Sequence, residues 1–480
     1  MALVPLFWIL KTGGSVHSFR AGYLTGLIWA SGTLYWIAWP TPAGLLGVLL
    51  VLPAYCGVFS CAQSWFHRRW GRKSFWAAPF LWVGMEAISS LGQLAFPWNL
   101  LGNTQASYLY LIQYASVTGV FGVSFWVVLL NVLVFLGYEK RETLKTVAVY
   151  SLTGVLLVAV SYAYGLRMLS RPLKSSATLR VGLVQGNINA YKKWTPAFID
   201  SNFVTYSRMT LECAKGKPEI IVWPETATPC YLRYRNFYLN WVKTIVDSVS
   251  IPLLTGSPDY EWITPDHANT YNAAFLFTPF SEDIGRYCKK QLVPFAEKVP
   301  FSEAFPQAYG WLNRIIPDVG DYSAGDSTTV FSFRSVRMQN IPFSVVICFE
   351  SIFPKLVSRF VSRGAGFLVV ITNDGWFGNT SGPYQHASIA RLRAVENRRW
   401  VVRCANTGIS EFVDPFGRVT QITRLNESAV LTETIQVNTE RTFYTRHANG
   451  WLWMIFACNA LILGSALFLP KTGKGKKRTS

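Results

Sequence analysis

The sequence predicts a layered α/β domain inserted before the last helix of a transmembrane α-helical bundle. Three observations predict it. Long apolar stretches crowd into residues 1–167 and 451–470, at lengths that suit a bilayer better than a folded core. Between them, residues 171–449 break into short β-rich runs alternating with amphipathic stretches. Arg and Lys gather in particular loops between the apolar stretches and are missing from others, which assigns the loops to sides of a membrane.

The apolar stretches come first. Residues 1–10, MALVPLFWIL, are too short to cross alone and read as an interfacial piece or the remnant of a longer helix. Candidate spans follow at 21–38, 44–65, 75–92, 111–137 and 146–166, with a last one at 451–470. Each approaches the ~20 apolar residues that a hydrocarbon core requires. No basic n-region precedes the first stretch, so no cleavable signal peptide is expected. HRRWGRKS (67–74) carries four Arg/Lys, YEKRETLK (138–145) three, and the tail KTGKGKKRTS five with no acid. AWPTPAG (38–44) and residues 91–110 carry none. With basic loops cytoplasmic, five spans leave the large middle segment outside and the sixth returns the tail. The expected division is therefore a helical bundle over 1–169, an extracytoplasmic domain over 170–449, a C-terminal transmembrane helix over 450–470 and a basic cytoplasmic tail over 471–480. The net charge of +19 is then partly topological and partly suited to anionic lipid. No nucleic-acid motif claims it, so the bilayer and not nucleic acid is the expected partner. Glu86, inside the third span, is expected to be paired within the bundle.

SRPLKSSATLR (170–180) reads as a polar linker, after which β-rich runs begin. They are RVGLVQ (180–185), EIIVWPE (219–225), IPLLTGS (251–257), YNAAFLF (271–277), FSVVICFE (343–350), FLVVITND (367–374) and WVVRCAN (400–406). Helical stretches lie at 197–214, 235–249, 352–363 and 384–399. Near-continuous apolar runs mark strands buried on both faces, so the segment should form a layered domain around a buried sheet. Five Cys lie in it, widely spaced and without a CxxC, which argues against a zinc site or a complete disulfide framework. No metal or cofactor is expected.

Three run ends carry chemistry. IVWPETATP presents Glu225 after a proline, YCKKQLVPFAEKVPF places Lys289, Lys290 and Glu297 in a Pro-flanked loop, and VVICFES ends on Cys348. A carboxylate, an ammonium and a thiol are the ingredients of thiol acyl transfer: a base, a nucleophile and a cation with N–H donors for the oxyanion. A strand-to-helix turn after Cys348 would lower the thiol pKa. Each residue has a plainer role open to it. Cys348 alone is most often a small buried hydrophobe, and a strand-end acid or loop lysine most often a cap or a solvated charge. The three segments lie 64 and 59 positions apart, and no spacing rule joins them.

The order Glu…Lys…Cys with these flanks resembles the nitrilase superfamily, and the longer wording is similar to its membrane-embedded branch, the apolipoprotein N-acyltransferases. YCKKQLVPFAEKVPF resembles that family's lysine loop, whose register selects Lys289 over Lys290, and VICFES resembles its nucleophile segment. VGLVQGNINAYKKW, ITNDGWFGNTSGPYQHASIARLRAVENRR and, in the apolar part, FPWNLLGNTQ also match, so the resemblance runs from about residue 20 to 465. It implies a nitrilase-type α-β-β-α sandwich. It implies Glu225, Lys289 and Cys348 as catalytic residues, Glu297 and Glu350 in support, and the backbone N–H of Phe349 as an oxyanion donor. Trp194, Trp376 and Phe377 would bind substrate at the entry for acyl chains. The implied donor is a membrane phospholipid, typically phosphatidylethanolamine, and the acceptor is a diacylated apolipoprotein, acylated through a thioester. The implied location is a bacterial inner membrane, with the catalytic domain on the periplasmic face. Two departures stand out. Ala296 replaces the family's usual Gly, a tight fit if that backbone needs φ > 0. The family's seven or eight transmembrane helices also exceed the six spans, as expected of a shortened variant or a start lying upstream. Two rivals remain: a membrane-anchored nitrilase-type amidase using the same residues, and a non-enzymatic receptor or transporter with a nitrilase-like outer domain.

Overall fold

The computed structural model describes residues 2–172, 177–304, 320–335 and 340–468. The basic tail, the last two residues of the expected final span and part of the linker lie outside the described residues. The chain forms two compact units: Met1–Tyr35, Leu45–Leu169 and His447–Ser480 in one, Trp36–Gly44 with Ser170–Arg446 in the other.

The first unit is helical. Among the described residues, four helical stretches are long and apolar enough to cross a membrane: Pro42–Ser89, Ala115–Glu139, Leu144–Leu169 and Phe443–Leu467. The first takes in both expected spans 44–65 and 75–92, with a 3-10 turn at Gly71–Ala77 between its helical parts. The expected span 21–38 falls on the helix Ser15–Leu34 and a 3-10 turn, Tyr35–Ala38, and is not among the four. Residues 4–12 are a helix that buries Leu6, Phe7 and Leu10 in the bundle. Phe7, Phe75 and Phe135 meet with ring centroids 4.5–5.7 Å apart, an edge-on cluster that joins three helical segments. Glu86 is paired, and its partners are neutral. Its Oε1 accepts from Trp82 Nε1 at 3.0 Å and from the backbone N of Leu101 at 2.7 Å.

The second unit is a sandwich of two six-stranded sheets. The described strands are β1 (Ala177–Gln185), β2 (Ile220–Val222), β3 (Leu253–Thr264), β4 (His267–Phe277), β5 (Ile284–Cys288) and β6 (Phe331–Phe333). They continue with β7 (Ile341–Ile347), β8 (Phe367–Thr372), β9 (Val401–Ala405), β10 (Glu411–Val413), β11 (Val419–Ile422) and β12 (Ala429–Val437). One sheet has the order β12-β1-β2-β3-β4-β5 and the other β11-β10-β9-β8-β7-β6. Each holds a parallel trio, β1-β2-β3 and β7-β8-β9, extended by antiparallel strands. The seven expected runs all become strands. The short strands β5, β6 and β11 and the edge strand β12 were not expected, because their burial alternates or is partial and leaves no continuous apolar run; β10 is fully buried but only three residues long, one of them Glu411.

Helices Pro196–Lys215 and Asn236–Val249 cover the first sheet, Pro354–Ser362 and Gly382–Asn397 the second. Leu179, Val181 and Leu183 of β1 and Phe343, Val345 and Ile347 of β7 share one core between the sheets, all at most 1% exposed. Burying such a side chain contributes about 1.5–3 kcal/mol, so the inner faces alone hold the sheets together. Glycine lets the chain close up where the first site residue emerges. A Cβ on Gly256 of β3 would stand 2.6 Å from Glu225 Cα.

Candidate active site

The parallel trios deliver their loops at the carboxyl ends of the strands, where open α/β sheets bind ligands. Glu225 leaves β2 after Trp223 and Pro224 and is 6% exposed. Its Oε1 accepts from Asn272 Nδ2 at 2.7 Å, and its Oε2 from the backbone N of Asn373 at 2.9 Å. Lys289 follows β5, fixed by its backbone N donating to Asn272 O at 2.8 Å and its carbonyl accepting from Gly325 N at 2.8 Å. Its ammonium, 1% exposed, donates to Glu297 Oε1 at 2.8 Å and lies 3.8 Å from Glu225 Oε1. Glu297 also accepts from Asn272 Nδ2 at 3.0 Å and, through Oε2, from Val293 N at 2.9 Å. Burial depresses the Lys289 ammonium, but the Glu297 and Glu225 carboxylates outweigh it and hold its value well above the ordinary one. The lysine is a fixed cation.

Cys348 follows β7 and begins the 3-10 turn Cys348–Ile352. Its φ of +50° lies in the left-handed region, a conformation that costs a non-glycine residue about 1–3 kcal/mol and gathers at reacting groups. Burial, then the Glu225 carboxylate, pushes the thiol well above its usual value, while Lys289 and a hydrogen bond with Thr372 pull it down. The expected lowering at a helix start therefore does not dominate: a thiolate here needs a base to take its proton. Glu225 is the acid with the largest effect on the thiol.

Glu350 is wholly buried and joins the two loops. Its Oε1 accepts from Tyr287 Oη and Lys290 N, both at 2.7 Å, and its Oε2 from Ile347 N at 2.8 Å. Phe349 lies buried between these residues, its ring edge-on to Phe353 at 5.2 Å. Trp376 and Phe377 sit on the 3-10 turn Asp374–Phe377 after β8, and Trp194 on the turn Lys192–Trp194 after β1. These turns meet through Tyr191, edge-on to Trp376 at 5.0 Å. Within this unit the Phe377 ring also packs 4.5 Å from Trp36. Trp194 is 38% exposed and the other two aromatics half-buried. Ala296 is not among the residues with positive φ; its neighbour Phe295 is, at +62°. The methyl group at 296 therefore meets no left-handed backbone.

Residues that sequence reasoning missed complete the site. Asn272, inside β4, bridges Glu225 and Glu297, and nothing in the apolar run around it marks it. Lys193 is 2% exposed and donates to Thr226 O at 2.9 Å and to Thr226 Oγ1. Burial lowers its ammonium to about 7, against the pull of Glu225. A lysine beside a tryptophan reads as a solvated charge, so only the fold shows it beneath the glutamate loop. His386, Asp374 and Arg403 form a buried group against the nucleophile turn.

The chain is similar to several known proteins. Residues 1–133 match the apolipoprotein N-acyltransferase N-terminal domain, and residues 180–444 the carbon-nitrogen hydrolase domain. The apolipoprotein N-acyltransferase of Chlorobaculum tepidum is 35% identical over 469 residues, 93% of this chain and 87% of its own. That of Geobacter metallireducens is 35% identical over 480 residues, 97% of this chain and 90% of its own. The crystal structure of Saccharomyces cerevisiae Nit3, a member of branch 10 of the nitrilase superfamily, covers 58% of this chain and 97% of its own at 18% identity and a TM-score of 0.42. Near-full-length identity to these bacterial proteins, with both domain matches, shows that the chain belongs to the apolipoprotein N-acyltransferase family.

Proposed function

We propose that this chain transfers an acyl chain from a membrane phospholipid, through a thioester on Cys348, to the α-amino group of the N-terminal diacylglyceryl-cysteine of apolipoproteins. One observation carries the reading of the site. Lys289 stands between two carboxylates, 2.8 Å from Glu297 and 3.8 Å from Glu225, and both Lys289 and Glu225 act electrostatically on the Cys348 thiol. A carboxylate, an ammonium and a thiol thus act on one another at one place, which supports thiol acyl transfer.

Glu225 takes the proton of Cys348, and the sulfur attacks the sn-1 ester carbonyl. Lys289 and the N–H of Phe349 hold the oxyanion. Its collapse expels the lysophospholipid alkoxide, which takes the proton back from Glu225, and a thioester remains. The acceptor amine then attacks the thioester, gives its proton to Glu225 and leaves as the amide, and the proton returns to the Cys348 thiolate. Glu297 keeps Lys289 in place, and Glu350 keeps the nucleophile turn against the lysine loop. Trp194, Trp376 and Phe377 line the entry for acyl chains. The donor is phosphatidylethanolamine. The enzyme sits in the bacterial inner membrane, its second unit on the periplasmic face, where both substrates keep their chains in the bilayer.

Purified protein incubated with labelled phosphatidylethanolamine should carry an acyl thioester on Cys348, read by mass spectrometry. No adduct, or an equal one on Cys348→Ser, refutes the mechanism. A diacylated lipopeptide should then collect the label on its α-amine; release as free fatty acid alone would identify a hydrolase instead.

A further inference from the structure

The backbone carbonyl of the nucleophile is gripped from within the domain. Cys348 O accepts from Ser351 Oγ at 2.8 Å and lies 3.1 Å from His386 Nε2, which also stands 2.9 Å from Ser351 Oγ. His386, on the helix Gly382–Asn397, is wholly buried. Its Nδ1 lies 2.9 Å from Asp374 Oδ1 and 3.2 Å from Arg403 Nη2. Asp374 accepts in turn from Arg403 Nη2 at 2.6 Å and from Thr372 Oγ1 at 2.8 Å. Burial raises the Asp374 carboxyl, but Arg403 and His386 outweigh it and hold the carboxyl at about 2. The imidazole is thus locked in one orientation by a charged pair, with Nε2 directed at the nucleophile's own peptide.

A satisfied core histidine would need only some partner. This one holds the peptide that follows a residue at φ +50°, where the strained turn has to be kept from relaxing. The Cys348–Phe349 peptide is trans, so its C=O and its N–H lie in one plane and point opposite ways. Holding the oxygen on the His386 side directs the N–H of Phe349 to the other. We propose that His386 is a positioning residue for acyl transfer: acting with Ser351 through Cys348 O, it aims the Phe349 N–H at the oxyanion. This rests on the reading above, in which that N–H is an oxyanion donor.

Two rates on the full-length protein in detergent separate this role from packing. One is acylation of Cys348 by phosphatidylethanolamine. The other is alkylation of Cys348 by iodoacetamide, which displaces iodide without forming an oxyanion. His386→Phe should slow acylation about 10- to 100-fold, somewhat less than outright loss of a donor, and leave alkylation within about twofold. His386→Gln, whose amide offers an N–H from a similar position, should recover most of the acylation rate. Should His386→Phe not fold, Ser351→Ala, a smaller change at the same carbonyl, carries the same expectation. Unchanged acylation, or an equal fall in both rates, overturns the proposal. A wild-type protein that is alkylated yet forms no thioester overturns the acyl-transfer reading and this proposal with it.

Discussion

Glu350 Oε1 accepts from the backbone N of Lys290 at 2.7 Å, so the carboxylate two residues beyond the nucleophile is a strut for the lysine loop. The same oxygen takes Tyr287 Oη, and the second takes Ile347 N. Every one of these partners donates. Glu350→Gln must therefore turn an NH2 toward a donor, and should cost about 1–3 kcal/mol, the penalty for an unsatisfied buried group. Thermal unfolding in detergent should show the loss, and Cys348 acylation should slow with it. An unchanged melting temperature would contradict the strut.

Lys289 compensates two carboxylates, Glu225 buried and Glu297 half-buried. Lys289→Met leaves Glu225 and Glu297 facing each other around Asn272, and breaking such a buried pair typically costs about 3–5 kcal/mol. The double variant Lys289→Met/Glu297→Gln removes one of the stranded charges. It should regain much of the stability while remaining inactive, since the cation proposed to hold the oxyanion is still missing. Melting temperatures and acylation rates of the three proteins decide this.

Lys193 gives a pH signature. Its folded value of about 7 lies below its ordinary 10.5, so between those values the unfolded chain binds more protons than the folded one. Stability tied to this group therefore rises with pH from about 7 to 10.5, and the burial cost is fully present below 7. Lys193→Met should remove that dependence. Its melting temperature at pH 6.5 should exceed that of wild type by roughly 5 °C or more, with the gap closing toward pH 10. A constant gap would show that Lys193 does not titrate there.

Gly256 allows Glu225 its place. A methyl group would stand 2.6 Å from Glu225 Cα and must push the loop aside. Gly256→Ala should lower acylation about 10- to 100-fold, the scale of a misplacement near 1 Å, and far exceed its effect on melting temperature. Ala296→Gly, at a backbone that does not need φ > 0, should change acylation less than about twofold.

Much of this was legible in the chain before any coordinates. Strands β1, β7 and β8 are largely buried, and their apolar runs showed it; three covering helices carried a period, whereas Gly382–Asn397 is buried almost all round. Glu225 and Cys348 could be singled out because each ends such a run; Lys289 stood in a Pro-flanked loop and was separated from Lys290 only by the resemblance. Asn272 could not, since one polar residue in YNAAFLF has no period to break. His386 was equally silent: a histidine in a helix does not announce that it reaches the carbonyl of a cysteine 38 positions earlier. The elevated thiol was misjudged for a related reason. The local turn argues for a lowered value, but burial and Glu225 outweigh it, and neither is local.

The sequence by itself determined the alternation of elements, the apolar stretches and the residue types available for chemistry, because periodicity and composition are properties of neighbours along the chain. Tertiary structure alone decided which charges face each other. Lys289 meets Glu225 across 64 positions and Glu350 meets Lys290 across 60. Such contacts follow from sheet order and from the close approach that Gly256 permits, which no local pattern encodes.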